Sequence, residues 1–281
     1  MFVPLLLHAR NPGPMTGGGN NTYVLAPPDG EAVLIDAGVG KRQHLADLAA
    51  VLDAAHARLS HVVVTHAHAD HASGAPVLAA AYPEARFSKY PWPDKDSRYA
   101  VDWQPLHDGD AIPIGPVSSM NPMSHDQLIV LHTPGHSPDH VSLWHEPTRS
   151  VFTGDLVVAG SSVMIDWSRG GSLGEYMRSL ERIRSLEPHV LFPAHGPRID
   201  APREILTGYL EHRRARERQV IDALRAGQAT VEAIAESIYH GLDSALMAAA
   251  RENVRAHLDK LKADGLATED DGRWHLTERA R

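Results

Sequence analysis

The feature that most constrains this chain is the run THAHADH at residues 65–71, which follows a Val-rich apolar stretch. It places four ligand-type side chains within six positions: His66, His68, Asp70 and His71. Side chains alternate along an extended segment, so His66 and His68 point the same way and can bind one ion. A helix that begins near Asp70 would turn Asp70 and His71 toward a second ion. The pattern predicts a strand that gives way to a metal-binding loop.

The composition favours a metal site over a chance cluster. The chain has 19 histidines in 281 residues, so an isolated pair would mean little, but four ligand-type residues in six positions are much harder to obtain by chance. Divalent metals such as Zn(II) accept imidazole nitrogens and carboxylate oxygens, and the sequence has no cysteine to compete for the metal.

Three later apolar runs also lead to ligand-type residues. Residues 128–131 lead to His136, residues 150–154 end at Asp155, and residues 189–194 end at His195. Each run is bounded by Gly or Pro, as strands often are. If the runs lie in neighbouring sheets, their exits share one edge, where open α/β sheets usually place their sites. The ligand-type residues that follow these runs would then lie close together.

These motifs resemble those of the metallo-β-lactamase superfamily. The resemblance rests on HAHADH, TPGH, FTGD and PAHGP, whose order and approximate separations agree with the family over residues 1 to about 200. It implies an α/β fold, the αββα sandwich. It assigns His66, His68 and His136 to one metal and Asp70, His71 and His195 to the other, with Asp155 as the bridge between them.

Two cations held about 3.5–4 Å apart would provide the chemistry. A water between them would lose a proton near neutral pH, because metal charge can lower its pKa from 15.7 to about 7. The bridging hydroxide is then the expected nucleophile, and a substrate oxygen on one metal would be stabilised as charge develops. We expect two divalent ions, first of all Zn(II), with Mn and Fe as alternatives.

Three further roles are predicted around the metals. Asp70 is expected to be essential for turnover as a ligand. Asp36, at a strand end, is expected to orient a ligand imidazole, as in the family, although it could instead form a turn before Gly38. His140, four residues after His136, could orient a ligand or donate a proton, and it could equally be a hydrogen-bonded histidine on the following strand.

The length of 281 residues suggests more than one domain. We predict a metallo-β-lactamase-fold catalytic domain at residues 1–202 and a smaller domain at residues 203–281. The tail shows three helical stretches, about 203–226, 230–239 and 243–263, and then a hairpin at 266–276. Three helices followed by a hairpin resemble a winged-helix module.

The pairing of these domains is similar to the β-lactamase-like protein 2 group, which includes enzymes that cut single-stranded RNA. The resemblance therefore implies a possible endoribonuclease. The net charge of −8 argues against this substrate, because nucleic-acid binders usually show a basic footprint. An arginine cluster that begins at Arg213 is offset by nearby acids. The tail could instead be a structural cap or a homodimer contact.

The sequence also predicts the location of the protein. The absence of cysteine fits a reducing compartment. Residues 1–10 lack the basic segment and cleavage site of a signal peptide and are typical of a first strand. No apolar run approaches the length of a membrane span. We expect a soluble cytoplasmic protein that does not engage the membrane.

Taken together, the sequence predicts a binuclear metal-dependent hydrolase with two candidate substrate classes. One is a phosphodiester in single-stranded RNA, and the other is a small-molecule ester or thioester, as in glyoxalase-II-like relatives. β-Lactam hydrolysis is less expected, because a periplasmic address is missing. A non-catalytic winged-helix DNA-binding regulator, with metal kept only for structure, is the alternative of another class. The complete ligand set argues against it.

Overall fold

The computed structural model describes residues 3–13, 16–115, 126–160 and 162–280. The strands within these ranges are β1 Leu5–His8, β2 Asn21–Leu25, β3 Glu31–Ile35, β4 Arg58–Val63, β5 Arg86–Lys89, β6 Trp103–Pro105, β7 Ala111–Pro113, β8 Gln127–His132, β9 Val141–His145, β10 Ser150–Gly154, β11 Val190–Pro193, β12 Ala267–Asp270 and β13 Arg273–Leu276. The α-helices are α1 Arg42–Ala55, α2 Ala69–Ala72, α3 Ala75–Ala81, α4 Pro93–Asp96, α5 Leu173–Ser185, α6 Pro202–Arg225, α7 Val231–Ile238 and α8 Met247–Ala263.

The described residues form two compact units. The first contains those within Met1–Thr133, Asp139–Ser161 and Leu186–Arg203, and the second contains those within Pro134–Pro138, Ser162–Ser185 and Glu204–Arg281. The predicted domain boundary at residue 202 stays a prediction, because grouping residues by contact does not test which segments fold independently.

The first unit contains two sheets. One has the strand order β1-β2-β3-β4-β5-β6, and its strands from β3 to β6 run parallel. Parallel neighbours need a crossover, and α1 connects β3 to β4 while α2 and α3 lie between β4 and β5. The other sheet has the order β11-β10-β9-β8-β7, and β10 and β11 are parallel. Parallel strands end at the same edge, so the segments that follow β3 and β4 start side by side, as do those that follow β10 and β11.

Apolar side chains fill both faces of the six-stranded sheet. Between the two sheets, Tyr23, Ile35 and Val63 pack with Leu143 and Phe152, and all are buried. On the opposite face, the buried leucines of α1 and α3 pack on β3 and β4. Burying one such side chain contributes about 1.5–3 kcal/mol. This two-sided core therefore fixes β3 and β4, which lead to Asp36 and to the run at residues 65–71.

The second unit contains α5, most of α6, α7, α8 and the β12-β13 hairpin. Buried residues of α6, α7, α8 and the hairpin form one apolar cluster, which includes Leu258 and Trp274. The hydroxyl of Thr230 accepts a hydrogen bond from the amide of Ala233 at 3.2 Å and so caps α7. The predicted helix from about 243 divides into a short 3-10 turn, Ser244–Leu246, and α8. The order of three helices and a hairpin is the predicted one.

Among the helices within the described ranges, none combines the length and the apolar character that crossing a membrane requires.

Candidate metal centre

The run at residues 65–71 follows β4 and changes from extended chain to helix where the sequence predicts. His68 has extended backbone angles, φ −65 and ψ 147, and α2 begins at the next residue. Asp36 follows the parallel strand β3, so it lies beside this run. Asp155 and His195 follow β10 and β11, which are also parallel neighbours. Within each sheet, the residues that follow neighbouring parallel strands therefore lie at the same edge, as predicted.

The structure brings the six predicted ligands of the first unit into two groups, and the seventh, His136, lies in the second unit. His66, His68 and Asp155 each offer one ligand atom, and these atoms lie within 4.8 Å of one another. Asp70, His71 and His195 form a second group by the same distance. The grouping matches the division that the resemblance implies. The roles of these residues as ligands stay predictions.

The carboxylate of Asp155 faces both groups. Its Oδ2 lies 3.9 Å from Nε2 of His66, and its Oδ1 lies 3.4 Å from Nε2 of His71 and 3.3 Å from Nε2 of His195. Asp70 Oδ2 lies 3.5 Å from Nε2 of His195 and 3.6 Å from Nε2 of His71. Asp155 is thus the carboxylate that could contact an ion in either group.

The donor set fits divalent metal ions. Within the described part of the chain, Nε2 of the buried His71 has no hydrogen-bond partner, although it points among carboxylates. A buried ring nitrogen without such a partner is costly, and a cation between it and the carboxylates would remove that cost. Imidazole and carboxylate groups suit Zn(II), and they also suit Fe and Mn.

Asp36 holds His71 by a hydrogen bond. Its Oδ2 lies 2.8 Å from Nδ1 of His71, while its Oδ1 accepts from the amide of Thr65 at 2.8 Å and from the Thr65 hydroxyl at 2.9 Å. A ring that donates Nδ1–H to a carboxylate presents Nε2 as the ligand atom. Asp36 also has a positive φ of 65, so it shapes the turn before Gly38 at the same time. The geometry favours the predicted orienting role.

His140 supports the backbone of Asp155. Its Nε2 accepts a hydrogen bond from the amide of Asp155 at 3.1 Å, so its Nδ1 carries the proton and donates to the Thr133 hydroxyl at 2.9 Å. The ring is fully buried. A side chain with both nitrogens engaged in this way orients Asp155, and this arrangement favours orientation over proton donation.

The charges of the site stabilise one another. Burial lowers the pKa of His71, but the Asp36, Asp155 and Asp70 carboxylates outweigh burial and raise the pKa well above its usual value. Burial opposes the charge of Asp155, yet the imidazoles of His71 and His195 hold the pKa of Asp155 well below its usual range. The pKa of His195 is raised to about 9, because its bonds to Asp155 and Asp70 outweigh burial. Without metal ions, the imidazoles and carboxylates of this cluster therefore favour each other's charged forms.

Several supporting residues were not found from the sequence. Thr65 holds Asp36, Thr133 holds His140, and the carbonyl of Met164 lies 3.2 Å from Nδ1 of His136. The buried Lys89 ammonium lies 3.0 Å from Asp139 Oδ2. Thr65 and Thr133 lie inside motifs that the sequence displays, whereas Lys89 and Asp139 carry no sequence signal of a role.

The chain belongs to the metallo-β-lactamase superfamily. Residues 15–195 match that superfamily, and residues 230–274 match the β-lactamase-associated winged helix domain. The predicted α/β metallo-β-lactamase fold with a winged-helix tail is therefore confirmed. Members of the superfamily are generally hydrolases, so the predicted enzyme class is confirmed as well.

Relatives extend over most of the chain. A β-lactamase-like protein 2 homolog from Caenorhabditis elegans is 30% identical over 261 residues, which are 92% of this chain and 83% of that protein. An atrochrysone carboxyl ACP thioesterase from Aspergillus fumigatus is 34% identical over 220 residues, 76% of this chain and 62% of that protein. The predicted likeness to the β-lactamase-like protein 2 group is confirmed.

Solved structures show the same fold. A metallo-β-lactamase family protein from Thermus thermophilus superposes with a TM-score of 0.75 at 20% identity and covers 98% of both chains. A protein solved in a di-iron-bound form has a TM-score of 0.54 at 26% identity and covers 73% of this chain and 96% of its own.

Proposed function

We propose that this chain is a binuclear metal-dependent hydrolase that cleaves a small thioester or ester. The observation that carries the proposal is the carboxylate of Asp155, which faces the two groups of predicted ligands with different oxygens, 3.9 Å from His66 and 3.3 Å from His195. When bound, two divalent cations supply Lewis-acid chemistry, because they lower the pKa of water and polarise a substrate oxygen.

The residues of the chain would then hold this centre in a fixed geometry. His66, His68 and His136 would bind one ion, and Asp70, His71 and His195 would bind the other, with Asp155 shared. Asp36 keeps the Nδ1 proton of His71, and His140 fixes the backbone at Asp155. These supports cost no reorganisation during the reaction, which is what electrostatic catalysis requires. Zn(II) is the first candidate metal, and the di-iron form of a structural relative supports iron as the alternative.

The charge distribution supports a small acyl substrate over RNA. The net charge is −8, and three basic side chains of α8 form ion pairs inside the second unit: Arg255 with Glu269, Lys260 with Glu217 and Asp264, and Lys262 with Glu269. In winged-helix proteins that read DNA, such a helix supplies the groove contacts. Its paired charges argue against the DNA-binding regulator and against a basic RNA track. The thioesterase relative from A. fumigatus supports the acyl alternative.

An endoribonuclease acting on single-stranded RNA is the second candidate. It is supported by the likeness to a β-lactamase-like protein 2 homolog over 92% of the chain and by the matched winged-helix segment. A cytoplasmic location and a homodimer formed through the tail also remain proposals.

One screen distinguishes the candidates. Protein loaded with Zn(II), and in parallel with Fe(II) under anaerobic conditions, is incubated with an S-acyl glutathione, an acyl-pantetheine, bis-p-nitrophenyl phosphate and a short single-stranded RNA. We expect thioester cleavage by the wild type and none by Asp155→Asn. RNA cleavage without thioester cleavage would transfer the assignment to the second candidate. A preparation with two metals per chain and no hydrolysis of any substrate would refute the enzyme.

A further inference from the structure

Arg213 is a buried cation that has no acidic partner among the described residues. It lies on α6 with 1% of its surface exposed, and it forms no ion pair within that part of the chain. A buried charge without a counter-charge is costly, and an apolar side chain of similar size is often more stable at such a position. The buried guanidinium therefore costs stability, which indicates a role other than stabilising the fold.

The guanidinium of Arg213 binds neutral acceptors from two other segments. Its Nη1 donates to Oδ1 of Asn253 on α8 at 3.1 Å, and its Nη2 donates to the carbonyl of Val163. The Tyr176 ring lies on one side, with its centroid 5.4 Å from Cζ of Arg213. Asn253 is itself fixed, because its Nδ2 donates to the hydroxyl of Tyr239. The planar fork of an arginine suits two such acceptors, and a lysine could not engage both in this way.

The residue that follows Val163, Met164, contacts the predicted ligand His136. The carbonyl of Met164 lies 3.2 Å from Nδ1 of His136 and accepts its proton when the ring presents Nε2 as the ligand atom. Carbonyls that accept the second N–H of a ligand histidine fix both the tautomer and the direction of the ring. Arg213 thus acts on the carbonyl next to the one that holds His136.

The loop of His136 is fixed on its other flank by α5. Ser179 donates its hydroxyl to the carbonyl of Pro134 at 2.8 Å, and the amide of Ser172 donates to the carbonyl of Gly135 at 2.8 Å. Gly135 has a φ of +130, and a Cβ there would lie 2.2 Å from the amide nitrogen of Tyr176. With the loop backbone held in this way, the Met164 carbonyl helps to set the direction of the imidazole.

We propose that Arg213 is a positioning residue for the metal centre, which holds the Val163–Met164 segment so that the Met164 carbonyl orients His136. Asn253 and Tyr239, in the tail, secure the guanidinium. The tail would thereby tune one metal position instead of reading nucleic acid. The inference rests on the proposed function, because it requires His136 to bind a metal.

The test compares two neighbouring arginines. Arg213→Met removes the buried fork. Arg214→Met removes an exposed arginine of the same helix, α6, whose Nη2 lies 2.7 Å from Glu181. Metal-free proteins are titrated with Zn(II) against a chromophoric chelator, and the Co(II) absorption spectrum is recorded at each stoichiometry. We expect Arg213→Met to weaken one of the two binding steps by about 10–100-fold and to alter the Co(II) spectrum of that step. Arg214→Met should behave as wild type.

Two further variants separate positioning from folding. Asn253→Leu keeps Arg213 and removes one acceptor, so it should weaken the same binding step by a smaller factor. Arg213→Lys keeps the charge and loses the fork, so it should recover only part of the affinity. Folding is checked by circular dichroism without metal, and Asn253→Leu carries the test if Arg213→Met does not fold. Wild-type affinity for both ions in a folded Arg213→Met or Asn253→Leu protein would overturn the inference and leave the proposed function intact. A wild type that binds fewer than two ions would overturn both.

Discussion

At the scale of single residues, carboxylates connect the histidines of the candidate metal centre. Asp155 faces both ligand groups, Asp70 faces His71 and His195, and Asp36 takes the proton on the far side of His71. The same carboxylates raise the pKa of His71 well above its usual value despite complete burial. The site is built to balance positive charge at its centre, whether that charge comes from protons or from metal ions.

Replacing Asp70 tests the second ion. Asp70→Ala removes a carboxylate that lies 3.5 Å from Nε2 of His195, so we expect the metal content to fall from about two ions toward one and turnover to fall by at least about 100-fold. Asp94→Ala, at an exposed position on α4, serves as the control and should match the wild type. Metal content is measured by elemental analysis and folding by circular dichroism. Wild-type rates in folded Asp70→Ala would remove Asp70 from the ligand set.

Gly154 shows how closely His140 approaches the chain before Asp155. Its φ is +48, and a Cβ at this position would lie 2.6 Å from Nε2 of His140. The left-handed backbone alone should cost Gly154→Ala about 1–2 kcal/mol, and the clash a further 1–3 kcal/mol of unfolding free energy. Gly160→Ala is the matched control, because Gly160 has a φ of +78 and no atom of the described residues lies within 4 Å of an added Cβ.

Urea unfolding of both glycine variants without metal gives the two free energies. Gly160→Ala should lose only the backbone contribution. Equal losses in the two variants would mean that His140 does not pack against this turn as described.

At the scale of elements, buried polar side chains connect segments that are distant in the sequence. Lys89, at the end of β5, is 1% exposed and pairs with Asp139, just before β9, which is fully buried. In the second unit, α8 buries His257, and neither of its ring nitrogens has a hydrogen-bond partner among the described residues. Such groups specify packing at a cost in stability, and each predicts a measurable response.

Breaking the Lys89 pair should destabilise the first unit. Lys89→Met leaves the carboxylates of Asp139 and Asp96 without their shared ammonium partner, so the free energy of unfolding should fall by about 3–5 kcal/mol. The double variant Lys89→Met with Asp139→Asn also removes the charge of the fully buried carboxylate and should recover part of the loss. Chemical denaturation of the three proteins measures the difference. A single variant as stable as the wild type would show that the pair contributes nothing.

His257 should make stability sensitive to acid. Burial lowers its pKa well below the usual value, and Arg213, Arg216, Lys260 and His212 lower the pKa further. Unfolded His257 binds a proton near pH 6.5, whereas the folded side chain does not, so stability falls as the pH drops below about 6.5. The wild type should lose up to about 1.4 kcal/mol per pH unit more than His257→Gln.

The control for this effect is His275→Gln, an exposed histidine on β13. Urea unfolding at pH values from 7.5 to 5.5 compares the three proteins. The difference between variants removes the contribution of the other histidines to the pH dependence of stability. Parallel pH dependence in the wild type and His257→Gln would contradict the account of this side chain.

At the scale of the whole molecule, the local patterns were predictable and the distant contacts were not. The run at 65–71 and the strand exits at Asp155 and His195 could be read from residue types and spacing, because strand ends and ligand types are local properties. The choice between orienting and donating roles for His140 stayed open in the sequence. It depends on the amide of Asp155, fifteen positions away, which only the folded chain brings within 3.1 Å.

The contacts of the tail could not be predicted from the sequence either. The structure groups residues 134–138 and 162–185 with the helices that follow residue 204, whereas sequence order suggests one cut near residue 202. The contacts of Arg213 with Val163 and Asn253 span 50 and 40 positions, and a basic run in the sequence gives no sign of them. The sequence does not distinguish an exposed arginine from a buried one. One member of a charged cluster on a helix can therefore lie inside the protein.

The most direct test of the account is anomalous X-ray diffraction from crystals of the protein loaded with Zn(II). We expect two metal peaks about 3.5–4 Å apart, with one oxygen of Asp155 directed at each or one oxygen shared. His66, His68 and His136 should coordinate the ion at one peak. Asp70, His71 and His195 should coordinate the ion at the other. A single peak in fully loaded protein, or two peaks that Asp155 does not join, would contradict the account.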